Sequence, residues 1–124
     1  MVSADIFSLR RGSTPLLVSL PHAGTLITTA LESVLVERAL TLEDTDWHLD
    51  SLYAFAHGMG SSLIVPRYSR YVIDLNRAPT NAPLYAGANN TALCPTRSFA
   101  GEPIYRQDRV PDQAEVARRR KIYW

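Results

Sequence analysis

At 124 residues the chain has the length of one domain, enough to bury about two thirds of its unfolded surface. Its 13 basic and 12 acidic residues leave a formal charge of +1, which gives no electrostatic reason to expect nucleic acid or an anionic membrane as partner. No apolar run approaches the ~18 residues of a transmembrane helix, MVSADIFSLRRG is no signal peptide, and the single Cys94 excludes an internal disulfide or a cysteine-rich zinc site, so a cytoplasmic protein with an inert thiol is expected.

In chain order, TPLLVSLPH from Thr14 to His22 predicts a short buried strand that stops at Pro21. The opening ADIFSLRRG is expected to pair with it across a turn at Gly12. ITTALESVLVERAL spaces Leu31, Val34 and Leu35 as a helix does. A second helix is expected to begin near Leu42–Asp44, capped by Asp44 or Thr45, with Leu49, Leu52, Tyr53 and Ala56 as its apolar stripe and an end near His57 and Gly58. SSLIVPRY predicts a second core strand, and Tyr71–Asn76 a third. Residues 78–111 change in texture, with Pro79, Pro83, Pro95, Pro103 and Pro111 interspersed with Asn81, Asn89 and Asn90, and predict one long loop within a single domain. PDQAEVARRRKIYW resumes helical character, with Asp112 as its cap.

The alternation of strands and helices points to the α/β class, where ligands sit beyond the carboxyl ends of strands. His22, with Gly24 close behind, lies at such an end and can reach a metal or a substrate; a hydrogen-bonded structural histidine fits the same position. In Asp44-Thr45-Asp46-Trp47-His48-Leu49-Asp50, helical spacing puts Asp46 with Asp50 and Asp44 with His48 on common faces, which also suits acids that complement a helix dipole. RYSRYVIDLNR, from Arg67 to Arg77, places Arg70, Asp74, Asn76 and Arg77 on or beside a core strand, where unpaired charge is costly. Either Arg–Asp pairing pins the strand, or guanidinium and amide make a fork for a substrate carboxylate. The basic run Arg118–Lys121 reads as a solvated helix face.

Together, SLPHAG at 19–24, DTDWHLD at 44–50 and RYVIDLNR at 70–77, with the tail from Pro111 to Trp124, resemble the N-formylglutamate amidohydrolase (N-formylglutamate deformylase) family over almost the whole chain. The resemblance implies a three-layer-like mixed sheet with flanking helices, similar to the zinc carboxypeptidases and the phosphorylase/hydrolase-like fold. It implies a hydrolase dependent on a divalent metal, zinc by expectation, that cleaves N-formyl-L-glutamate to formate and L-glutamate in histidine degradation. On that reading His22 and Asp46 are metal ligands, although Thr25 stands where the carboxypeptidases carry a second ligand. Asn76 and Arg77 match the pair that grips a carboxylate, Arg70 polarises the scissile carbonyl or holds a second carboxylate, and Asp74 orients an arginine. Family members are longer, so the chain is expected to be an N-terminal part that lacks a third ligand and a general base. Such a part is expected to turn over little, and to self-associate through its C-terminal helix. The alternative reading is a non-catalytic carboxylate-binding module of the same fold, and a helix-presenting interaction protein is disfavoured by the near-zero charge.

Overall fold

A computed structural model describes residues 5–87 and 91–124; Ala4 of the expected first strand and Asn89 and Asn90 of the expected loop lie outside the described residues. The fold is mixed α/β, built on a three-stranded sheet in the order β1-β3-β2: β1 is Phe7–Arg10, β2 is Leu17–Ser19 and β3 is Ser62–Pro66. The helices are α1 (Thr29–Glu32), α2 (Leu49–Leu52), α3 (Ala54–Gly58) and α4 (Gln113–Tyr123), with a 3₁₀ turn at Glu37–Thr41.

The pairing of the opening strand is corrected. β1 does not pair with β2; it runs antiparallel to β3, with Leu9 opposite Ile64, while β2 runs parallel to β3 on its other side. Gly12 carries the crossing past the end of β3. Its N–H donates to Ser62 Oγ, and a Cβ there would lie 2.0 Å from the Gly60 carbonyl oxygen, so only glycine fits.

The first predicted helix breaks in two. Thr28 caps α1 by accepting the Leu31 N–H, but the chain leaves helical geometry after Ser33 because residues 34–36 pair with the late loop. Val36 N–H donates to the Ile104 carbonyl, and Arg106 N–H to Val34. Tertiary pairing thus overrides the apolar periodicity. The second helix begins at Leu49, not near Leu42–Asp44, and neither Asp44 nor Thr45 caps it. The Asp44 carboxylate instead accepts the Phe99 N–H at 2.7 Å, and His48, at φ 60, turns the chain into α2.

The third predicted strand is absent: Tyr71–Asn76 forms turns. Its backbone finds partners without a ladder. Ser69 Oγ accepts the Tyr71 N–H, the Ser69 carbonyl accepts Val72 N–H, and the Asp74 carboxylate accepts Asn76 N–H. Such side-chain and turn bonds compete with strand pairing. Tyr71, Val72 and Ile73 are nonetheless buried, packed in the main core with Leu31 and Leu35. Among the described residues, 78–111 carries no helix or strand, yet Leu93, Cys94, Ile104 and Tyr105 of that segment complete the same core. The core therefore lies between α1, the 71–73 turns and this loop.

α4 is capped as predicted, Asp112 accepting the Glu115 N–H at 2.8 Å. Its inward side is not purely apolar. Arg119 is 5% exposed, and Val116 and Tyr123 pack beside it against the core.

Candidate active site

His22 follows the end of β2, and Arg70 and Asp74 follow the end of β3, so the two parallel strands deliver all three to one end of the sheet. The backbone around Gly24 makes the delivery possible. Thr25 and Leu26 N–H both donate to the Arg67 carbonyl, and Ser69 N–H donates to Leu26. A Cβ on Gly24 would sit 2.1 Å from the Tyr68 carbonyl oxygen, so the two segments could not close.

His22 stands between two carboxylates. Its Nε2 lies 2.6 Å from Asp74 Oδ1, and its Nδ1 lies 3.8 Å from Asp46 Oδ2. The 46 position is locked by backbone as well, since Asp46 N–H donates to the His22 carbonyl at 2.9 Å. Asp46 is not carried on a helix, as the sequence suggests; it sits in the turn before α2, so it shares no helix face with Asp50. In the tautomer that gives Nε2–H to Asp74, the ring lone pair is left on Nδ1, on the side of Asp46. Two zinc ligands at ~2.1 Å in tetrahedral array stand about 3.4 Å apart, close to the separation observed. The donor set therefore fits two corners of a metal site. Among the described residues no group of three or more His, Cys, Asp or Glu side chains gathers to hold a metal.

Asp74 is the hub. It is 2% exposed and accepts from His22, from the Arg70 Nη2 at 3.0 Å and from the Asn76 N–H at 2.9 Å. Burial alone would raise its carboxyl, but the His22 contact, the Asn76 N–H and the Arg70 charge together hold it below the ordinary carboxylate range. The sequence links Asp74 to an arginine, which is found; its bond to His22 is not visible there, because turns rather than strand geometry create it. Arg70 uses one nitrogen on Asp74, and its Nε and Nη1 make no hydrogen bond among the described residues.

The Asn76–Arg77 fork is split. Asn76 is exposed, whereas Arg77 is buried and its guanidinium donates to the Thr91 carbonyl and, at 2.9 Å, to the Asn81 carbonyl. Among the described residues its guanidinium bonds only to Thr91 and Asn81, and Arg77 reaches the His22–Asp74 cluster through its backbone alone, its N–H donating to the Asp74 carbonyl at 3.1 Å. Its Nε has no partner among the described residues.

A second buried cation was hidden in the basic run. Arg119 donates to the Val72 carbonyl, the Tyr105 hydroxyl and the Glu115 carboxylate, tying α4 to the turn that leads into Asp74. It belongs to no solvated face. The signal available in the sequence was its spacing, because Val116, Arg119 and Tyr123 recur at helical intervals on one side.

Residues 14–124 match the profile of the N-formylglutamate amidohydrolase family. N-formylglutamate deformylase of Pseudomonas aeruginosa is 45% identical over 120 residues, which cover 97% of this chain and 45% of that protein. The Pseudomonas putida N-formylglutamate deformylase is 44% identical over 119 residues, or 96% of this chain and 44% of that protein. The chain thus spans less than half the length of these curated relatives. A crystal structure of N-formylglutamate amidohydrolase from Ralstonia eutropha JMP134 superposes with a TM-score of 0.73 at 28% identity, covering 96% of this chain and 46% of that one. With the profile matched over nearly its whole length, the chain belongs to the N-formylglutamate amidohydrolase family.

Proposed function

We propose that the protein is a hydrolase of N-formyl-L-glutamate that works with a divalent metal, zinc by the chemistry of its donors, in the cytoplasm and in histidine degradation. The observation that carries the reading is His22 held between two carboxylates, Asp74 on Nε2 and Asp46 opposite Nδ1. A hydrogen-bonded carboxylate behind a histidine fixes the tautomer that ligation needs and raises its basicity. In this reading the sheet and helices belong to a zinc-carboxypeptidase-like fold.

The reaction adds water across the formyl C–N bond, releasing formate and the free amine of L-glutamate. The metal, when bound, supplies a polarised water of lowered pKa. His22 Nδ1 and Asp46 are the residues of this chain that would hold it. Asp74 keeps the His22 proton on Nε2 and aims the Arg70 guanidinium. The unused donors of Arg70 would bind the formyl oxygen or a substrate carboxylate. Asn76, whose backbone N–H also meets Asp74 and whose side chain is exposed, would supply an amide to the same carboxylate, whereas Arg77 would join only by giving up its loop carbonyls.

Formate release from N-formyl-L-glutamate in zinc buffer tests the reading, with His22→Ala as the zero. Slow release by the wild type that the variant loses is expected, because two protein ligands hold zinc less firmly than three. Equal release by both would overturn catalysis at His22. The non-catalytic carboxylate-binding reading is favoured by one observation: only two candidate ligands converge among the described residues. It predicts glutamate binding that Arg70→Gln abolishes, without any turnover.

A further inference from the structure

Away from His22, α1 and the first turns of α4 enclose an open cleft of about 590 Å³. Three guanidiniums, of Arg109, Arg118 and Arg119, line it against one carboxylate, that of Glu115. Arg118 meets Glu115 in a bidentate pair at 2.7 and 2.9 Å, and Arg119 adds a bond of 2.8 Å to the same carboxylate. Glu115 is therefore shared by two cations. Arg109 makes no side-chain hydrogen bond or ion pair among the described residues. The buried Arg119 is held from behind by the Val72 carbonyl and the Tyr105 hydroxyl, so its charge is fixed at the wall rather than free to swing into water. Thr28 also lines the cleft, and because its hydroxyl oxygen accepts the Leu31 N–H, its own proton remains to donate outward.

An excess of guanidinium charge in a concave wall attracts and orients an oxyanion. We propose that the α1/α4 cleft is a second binding site, for a small oxyanion compound carrying a phosphate or carboxylate group. Arg109 makes the first contact, Arg118 turns part of its fork from Glu115 to the ligand, and Thr28 donates a hydrogen bond. Phosphate and carboxylate present the same planar or near-planar pair of oxygens to a guanidinium, and the cleft volume leaves room for a substituent beyond that group.

Calorimetric titration of the chain with inorganic phosphate and, separately, with succinate tests the site. Arg109→Gln is the principal variant, because Arg109 is exposed and supports no contact that the fold needs. Binding of at least one anion is expected, weakened tenfold or more in Arg109→Gln and retained in Arg70→Gln. Amide NMR shifts on titration should fall on 28–34 and 113–119. Preference for phosphate or for succinate identifies which source of the oxyanion the cleft takes. No binding of either anion, equal binding in Arg109→Gln, or loss of binding in Arg70→Gln would each overturn the proposal. The last outcome would place the anion at the candidate active site instead.

Discussion

Asp74 combines three jobs that the sequence separates: it fixes the ring of His22, aims Arg70 and closes a turn on Asn76. Replacing it with Ala removes the anchor of a metal-facing histidine, and loss of such an anchor typically weakens metal affinity by about 10–100-fold. Asp74→Ala should therefore weaken zinc binding by that factor, with Asp74→Asn recovering part of it as a hydrogen-bond acceptor; competition against a chelating dye reads both. Unchanged affinity in Asp74→Ala would detach it from the site. Arg77 makes the opposite case at this scale. Its guanidinium satisfies the Thr91 and Asn81 carbonyls in a buried setting, and leaving such groups unpaired costs about 1–3 kcal/mol. Arg77→Ala should lower unfolding stability by that amount in urea titrations. A variant of wild-type stability that binds glutamate less well would instead assign Arg77 to the substrate.

At the scale of elements, α4 is held by polar bonds that titrate. The hydrogen bonds from Arg118, joined by the one from Arg119, hold the Glu115 carboxyl at about 2, below its ordinary 4.5. A depressed carboxyl contributes stability above its unfolded value and loses it as the pH falls through the folded one. Stability should thus decline between about pH 4.5 and 2 in the wild type, and less steeply in Glu115→Gln; identical acid profiles would show that the pair contributes nothing. The same helix shows what was legible. Its cap, Asp112, and its period stand in the sequence, because both are local. β2 and β3 were legible as strands from short apolar runs, although β2, expected to be buried, is largely exposed. What was not legible is long-range: β1 reaching β3 past Gly12, residues 34–36 abandoning a helix for 104–106, and the 71–76 run giving its backbone to turns. His22 and Asp46 could be picked as a pair, and the structure brings them to 3.8 Å, but the buried Arg77 and Arg119 could not be told from solvated cations without knowing which carbonyls surround them.

For the whole molecule, the sheet shows an apolar face that Leu75, Tyr123 and Trp124 cover only in part among the described residues. Phe7, Leu9 and Leu17 lie on it at 44%, 44% and 54% exposure, around a groove that Ile64, Pro66 and Trp124 help to line. Exposed apolar patches of this kind promote association. Sedimentation at rising concentration should show self-association, reduced in Phe7→Glu; a monomer at every concentration would contradict it. Trp124, at the end of α4, lines the same groove while Val116 and Tyr123 pack against the core, so the sedimentation tests the expected contact through the C-terminal helix together with the sheet.

The proposed function turns on His22 presenting Nδ1 to a metal while Asp74 holds its Nε2 proton. Long-range ¹⁵N–¹H correlation of the His22 ring, recorded as zinc is added, tests it most directly. Zinc should shift the Nδ1 resonance, leave Nε2 protonated, and lose its effect in Asp46→Ala. A His22 ring unmoved by zinc, or one that binds it through Nε2, would contradict the claim.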